Sequence, residues 1–224
     1  MPQFWVSATD VPEADRREWT IGFRDIARAT DVRTMIACVV PGGAAGNTLP
    51  LLVEQETSAT RMALFLANLN AYAFDYVARQ KAQSTHLNWY IVEQLPVIDP
   101  SRFETRIGKT KVADFVREQV LRLTYTAHDL EPFARDLRHV DAQGKVPPPF
   151  RWNDEDRRAR MAALDALFMH LYGLSDEDAA YVLDTFPIVR EQDEAAFGRF
   201  RTKEDVLEQL SRIRAGTLSV RLPA

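Results

Sequence analysis

Residues 19–27 read WTIGFRDIA, and large apolar side chains alternate with smaller or polar ones along the first half of this stretch. Trp19, Ile21 and Phe23 therefore fall on one side of an extended chain, which is the period-two pattern of a strand with one buried face. Aromatic and β-branched residues also favour strands. The stretch predicts a β-strand near the start of the chain.

Two further apolar runs follow this strand. Residues 33–40 (RTMIACVV) are rich in apolar and β-branched residues and precede a Pro-Gly-Gly turn, so they predict a buried strand. Residues 49–53 (LPLLV) are shorter, and Pro50 favours the edge of a sheet because proline has no backbone N–H to donate. The three runs together predict a small β-rich core.

Helical periodicity dominates the remainder of the chain. Residues 60–80 and 110–138 place apolar side chains at spacings of three and four, which predicts amphipathic helices. Pro132 lies inside the second pattern, so that helix either kinks or is two helices meeting near residues 127–131. Residues 141–152 (DAQGKVPPPFRW) predict a linker, and the pattern beyond them is helical. We therefore expect an α+β fold, with a small β-rich core followed by a mostly helical C-terminal part.

Composition excludes several classes of protein. The 224 residues carry a net charge of −4, and the single cysteine excludes an internal disulfide and a multi-cysteine zinc site. No apolar run approaches the roughly 20 residues that span a bilayer, and the N-terminus does not resemble a secretory signal. We therefore expect a cytoplasmic protein with no membrane partner. The histidines lack metal-ligand spacing, and no phosphate-loop, dinucleotide-binding or nucleophile-elbow motif occurs, so we expect neither a metal site nor a complete catalytic site.

Residues 76–92 (YVARQKAQSTHLNWYIV), here called the polar window, are unusual in an acidic chain. They include Arg79 and Lys81 but no Asp or Glu. Arginine and lysine donate to phosphate oxygens, and amide, hydroxyl and imidazole side chains pair with base edges. The window thus indicates a nucleic-acid contact. The alternative interpretation is a polar loop between two packed elements, with Thr85 and Asn88 as caps.

Several short motifs occur together along most of the chain. They are FRDI at 23–26, TDVRTMIA at 30–37, NTLPLL at 47–52, FDYVARQK at 74–81, THLN at 85–88, QLPV at 94–97, HLYGLS at 170–175 and YVLDTF at 181–186. In combination they resemble the C-terminal region of type II restriction enzymes that carry a fused adenine-N6 DNA methyltransferase.

The resemblance implies DNA recognition rather than catalysis. In that family this region follows the methyltransferase domain and resembles a target-recognition module with helical spacer elements, which reads double-stranded DNA and presents the adenine. The S-adenosylmethionine-binding motif and the Asn-Pro-Pro-Tyr motif are both missing here. We therefore expect no catalytic residue or cofactor in this chain, and we expect S-adenosylmethionine on a separate methyltransferase domain or subunit, which a nuclease can accompany. The expected regions are 1–100 (β-rich recognition region with a packed helix), 101–140 (long spacer helix), 141–152 (linker) and 153–224 (helical region).

The resemblance also implies which residues face DNA. Arg79 and Lys81 are expected to hold phosphates, whereas Gln80, His86 or Asn88 pair with base edges. The full set of residues expected to contact DNA is Arg24, Arg33, Thr34, Asn47, Arg79, Gln80, Lys81, Ser84, Thr85, His86 and Asn88.

Two other functions stay open from the sequence. The apolar helix over residues 110–138 and the C-terminal helices are compatible with an assembly module that docks a methylase or nuclease subunit. A free-standing enzyme would instead use Asp25, Asp31 and His86 as acid–base groups, although no spacing rule brings these three residues together.

Overall fold

The computed structural model describes residues 7–11, 17–43, 45–53, 58–82 and 85–222. It confirms the α+β class, because helices make up about half of the chain and the strands form small antiparallel sheets. Among the described residues, no helix combines the length and the apolar character needed to cross a bilayer. The strands are β1 (Trp19–Phe23), β2 (Ala37–Pro41), β3 (Leu51–Leu52), β4 (Arg106–Ile107) and β5 (Thr110–Lys111).

The main sheet contains the three predicted strands in the order β2–β1–β3, all antiparallel. Ile21 in the central strand lies opposite Val39 of β2 and Leu52 of β3, and every residue of β1 is buried. The second strand begins at Ala37 rather than at residue 33. The reason is tertiary: the backbone N–H groups of Thr34 and Met35 donate to a carboxylate instead of to a neighbouring strand.

The helix expected over residues 60–80 is two helices, α1 (Ala59–Leu69) and α2 (Tyr72–Lys81). The break lies at Asn70, whose side-chain Nδ2 donates to the Ala37 carbonyl (3.0 Å) and whose Oδ1 accepts from the Ala37 N–H (3.1 Å). Ala71 then adopts an extended conformation, which starts α2 in a new direction. Pairing with a residue distant in sequence therefore overrides the local helical pattern.

The helical pattern over residues 110–138 is also interrupted, as the two-helix alternative predicts. The helices after α2 are α3 (Trp89–Val92), α4 (Val112–Thr124), α5 (Glu131–Asp136), α6 (Asp154–Leu171), α7 (Asp176–Asp184), α8 (Pro187–Phe197) and α9 (Arg201–Arg214). A short 3₁₀ turn at His128–Leu130 lies between α4 and α5, and Pro132 lies in the first turn of α5, where its missing N–H costs nothing.

The proline-rich segment at 141–152 has no regular secondary structure, as predicted, but it packs against the body of the protein. Tyr125 donates from its hydroxyl to the Pro147 carbonyl (2.9 Å), and the Phe150 N–H donates to the Tyr125 carbonyl (2.9 Å). Buried apolar residues on both sides of the segment belong to one continuous core. The helices that follow this segment pack directly on α2 and α4.

Candidate nucleic-acid interface

The chain just beyond β1 gathers three segments that are distant in sequence. The Asp25 N–H donates to the Thr48 carbonyl (3.2 Å), and the Ala27 N–H donates to the Thr85 carbonyl (3.0 Å). Leu87 in turn donates its N–H to the Asp25 carbonyl (2.8 Å). The polar window is consequently fixed to the end of the central strand, and the turn that contains Asn47 lies beside it.

The side chains of the polar window that were predicted to pair with base edges, Gln80, His86 and Asn88, are exposed. Gln80, Thr85 and Asn88 form no side-chain hydrogen bond with any described residue, so their donors and acceptors remain available. Asn88 occupies the N-cap position of α3 without a capping hydrogen bond, which argues against the purely structural interpretation. Lys81 is also exposed, and its ammonium contacts only the Gln94 side chain (3.3 Å) among the described residues.

His86 and Asp25 form the most specific pair on this surface. His86 Nδ1 and Asp25 Oδ2 are 2.8 Å apart, and the carboxylate is the more buried partner, at 13% exposed against 49% for the imidazole. The carboxylate therefore orients the ring from beneath. Asp31, the third residue of the acid–base alternative, is engaged elsewhere: its carboxylate accepts from the Arg24 guanidinium (3.0 Å) and the Arg28 N–H (3.1 Å).

Two residues that were predicted to contact DNA, Arg33 and Thr34, form hydrogen bonds within the protein instead. Asp75 is completely buried, and its carboxylate accepts from Arg33 Nε (2.6 Å) and from the backbone N–H groups of Thr34 and Met35. The Arg33 guanidinium also stacks 4.1 Å from the centre of the Tyr72 ring. Thr34 is fully buried and donates its hydroxyl to a backbone carbonyl, so its prediction as a DNA contact is wrong.

Arg79 points inward as well. Its guanidinium donates to the carbonyls of Asp31, Val32 and Thr185 and lies 4.2 Å from the centre of the Phe186 ring. Burial lowers the pKa of this group because desolvation disfavours its charge. Arg79 is therefore a structural residue that joins the polar window to the C-terminal helices, and its predicted phosphate contact is not supported by this placement.

Arg24 is partly engaged, and Ser84 lies outside the described residues. The Arg24 guanidinium donates to Asp31 and to the Arg33 carbonyl (2.9 Å), although 41% of the side chain stays exposed. Sequence reasoning missed Arg28, whose side chain is exposed and forms no hydrogen bond or ion pair with another described residue. It follows Ala27, the residue that pairs with Thr85, so it adds a cation beside the window. No motif marks it; only its place after a predicted strand could have singled it out.

The part of the chain that the structure describes contains no cluster of three or more His, Cys, Asp or Glu side chains able to hold a metal ion. No protein-family model, no curated protein and no solved structure matches this chain. The geometry at the end of β1 and the motif resemblance are thus the two grounds for a functional proposal.

Proposed function

We propose that this chain is the non-catalytic DNA target-recognition region of a type II restriction-modification adenine-N6 DNA methyltransferase, acting in phage defence in the cytoplasm. The observation that carries the proposal is the surface at the end of β1. There Gln80, Thr85 and Asn88 are exposed, with unused hydrogen-bonding groups, beside Lys81 and Arg28. S-adenosylmethionine and the methyl-transfer chemistry belong to a methyltransferase domain or subunit that works with this chain.

Charged and uncharged side chains have different roles on this surface. Lys81 and Arg28 attract phosphates, which sets the register of the protein on the duplex without reading sequence. Amide side chains such as those of Gln80 and Asn88 pair in a bidentate manner with adenine, and each good pair is worth about 1–3 kcal/mol of discrimination. Asn47, exposed in the neighbouring turn, extends the same polar surface.

The geometry also predicts how strongly the isolated chain binds. The net charge is −4, and Arg79 and Arg33 are used internally, so the proposed surface offers mainly Lys81 and Arg28 to phosphates. We expect weak binding to a duplex of mixed sequence, with a dissociation constant of roughly 10⁻⁴–10⁻⁶ M at physiological salt. Tighter and sequence-specific binding then requires the methyltransferase domain.

The test is the salt dependence of DNA binding by Lys81→Ala combined with Arg28→Ala. Fluorescence anisotropy with a labelled mixed-sequence duplex should give a log–log salt slope that is smaller by about 2 units than for the unaltered chain, because two phosphate contacts are lost. A control that combines Lys109→Ala with Lys145→Ala removes the same charge from exposed positions outside the polar window. Equal losses in the two double variants would show general electrostatic attraction and contradict the proposed surface.

A second candidate function, docking of the methylase or a nuclease subunit, is favoured by exposed apolar side chains at the C-terminal end of the polar window and beside it. Tyr90 and Trp89 are 62% and 45% exposed, and Ile26, which pairs with His86, is half exposed. The helix α4 does not serve this role, because its apolar face is buried in the core. Tyr90→Ser should weaken a DNA-independent complex with the methyltransferase domain in analytical ultracentrifugation, while Tyr181→Ser, an equally exposed tyrosine on α7, leaves it unchanged.

A further inference from the structure

A cavity of about 470 Å³ lies between the outer edge of β2 and helices α1, α4 and α6. That volume is within the range of roughly 300–1,000 Å³ typical of sites for small organic ligands. The space exists because small side chains line it where elements meet: Ala37 on β2, Ala67 on α1 and Ala71 in the break between α1 and α2. None of these residues belongs to the proposed DNA-binding surface.

The walls of the cavity are mainly apolar. Met35, Val39, Leu66, Val120 and Leu164 contribute aliphatic surface from the sheet and from three helices. Such walls favour a ligand with an apolar body, because water gains little by filling a space with few polar partners.

One carboxylate, that of Asp165, lies among these apolar side chains in the lining of the cavity. Asp165 of α6 is only 7% exposed, and its Oδ1 accepts the Tyr72 N–H (2.8 Å). Its Oδ2 accepts no hydrogen bond from any residue that the structure describes. The residue is largely shielded from water, and this burial raises the pKa of Asp165 to about 6 because desolvation disfavours the charged carboxylate.

The two arginines that line the cavity do not supply a hydrogen bond to Asp165 Oδ2. The Arg33 guanidinium lines the cavity but is already paired with Asp75 and with the Asn70 carbonyl. Arg157, at another part of the lining, donates to the Leu123 carbonyl (2.7 Å) and stacks on Trp152 at 3.7 Å. Asp165 thus retains acceptor capacity that a bound molecule with a donor would satisfy.

We propose that this cavity binds a small organic cation, namely an apolar body with a protonated amine that donates to Asp165 Oδ2. The ammonium supplies the missing hydrogen bonds and charge, and the apolar body fills the space bounded by the aliphatic side chains. A charge-assisted hydrogen bond is about twice as strong as a neutral one, so the site prefers an amine to an uncharged molecule of the same shape.

The test uses the full chain and two probes of matched shape. Isothermal titration calorimetry at pH 7.5 should show one-site binding of 2-naphthylmethylamine, at least about tenfold tighter than binding of 2-naphthylmethanol. Asp165→Asn should remove that preference. The control is Asp193→Asn, which alters another buried aspartate that accepts a backbone N–H but does not line the cavity; it should keep the preference.

Two further measurements make the result independent of the folding of the Asp165 variant. Ala67→Leu places a larger side chain in the cavity and should weaken the binding of both probes. Cys38, the only cysteine, lines the same cavity and is exposed, so the amine should slow its alkylation by iodoacetamide. Equal affinities for the two probes overturn the proposal. So does an Asp165→Asn variant that folds and keeps the preference, or no binding of either probe, the result expected if a partner protein's side chain fills the cavity.

Discussion

Arg79 and Lys81 stand two residues apart in the same helix and have opposite environments. Arg79 is anchored to three backbone carbonyls and an aromatic ring, whereas Lys81 is exposed and touches one glutamine. An α-helix turns by about 100° per residue, so positions i and i+2 lie on nearly opposite sides. The polar window is therefore two surfaces: one that holds the fold together and one that faces outward.

The same contrast separates Arg33 from Arg28. Arg33 is paired with the fully buried Asp75, while Arg28, five residues earlier, projects from the surface. Basic residues near a motif do not by themselves identify a DNA-binding surface. Contacts with residues distant in sequence decide which of them point inward: the Asp75 carboxylate for Arg33, and the Thr185 carbonyl and the Phe186 ring for Arg79.

The largest effect is expected for Asp75→Ala. Removing this carboxylate leaves the Arg33 guanidinium without its ion-pair partner and two backbone N–H groups without an acceptor. We expect the free energy of unfolding to fall by about 3–5 kcal/mol, measured by urea denaturation. Adding Arg33→Met to that variant should restore part of the loss. A fall below about 1 kcal/mol would mean that the buried polar cluster contributes little to the fold.

Asp165 should make stability depend on pH. Burial raises its pKa to about 6 from an ordinary 3.8, with Arg33 opposing and Asp75 reinforcing the shift. Between these two values the folded state keeps a proton that the unfolded state has lost, so this group lowers the free energy of unfolding as pH rises. The loss, up to about 3 kcal/mol between pH 4 and 7, should be absent in Asp165→Asn.

The difference between the unaltered chain and Asp165→Asn isolates this effect, since the other titrating groups are shared. Urea denaturation at intervals across that pH range measures it. A difference that stays constant with pH would show that Asp165 titrates normally in the folded protein.

A smaller loss is expected for Arg79→Ala. The change leaves the carbonyls of Asp31 and Val32 without their donor and removes the stacking on Phe186. We expect the free energy of unfolding, measured by urea denaturation, to fall by about 1–3 kcal/mol. Arg79→Lys should recover little of it, because an ammonium does not reproduce the planar fork of a guanidinium. An unchanged free energy of unfolding would show that Arg79 does not stabilise the fold.

The smallest effect on stability is expected for Lys81→Ala, within about 0.5 kcal/mol of the unaltered chain. The side chain is exposed and makes one polar contact, so little is lost on truncation. The same variant should nevertheless lower the salt slope of DNA binding by about 1 unit. Measuring the free energy of unfolding and the salt slope for both Arg79→Ala and Lys81→Ala separates the surface of the polar window that stabilises the fold from the surface that faces outward.

Local pattern predicted much of this fold. Alternation in residues 19–27 predicted the central strand, and the three-residue spacing of Ser175 and Asp178 is that of the capping box that starts α7. The break between α1 and α2 was not predictable, because Asn70 pairs with Ala37, a residue 33 positions away. The same spacing at Thr202 and Asp205 forms no capping box, because α9 begins at Arg201 and the Thr202 N–H donates to Asp193 of α8.

The sequence predicted where the candidate site lies along the chain, but not which of its side chains face outward. Residue types predicted a DNA contact at Gln80, Lys81, Thr85, His86 and Asn88, and all five side chains are exposed, as such a contact requires. Which neighbouring basic residues turn inward depends on contacts with Asp75 and with the 185–186 turn, and no local signal encodes these. The approach of Asp25 to His86 is likewise a product of strand pairing at the end of β1.

The side chain of Asn70 has one further consequence, for self-association. An outer strand normally offers unpaired backbone groups to which another chain can add, and that is how many sheets begin to aggregate. Here the carboxamide occupies both the N–H and the carbonyl of Ala37 from the side away from the central strand. A single amide thus imitates one residue of a neighbouring strand, and it closes that position of the sheet to intermolecular growth.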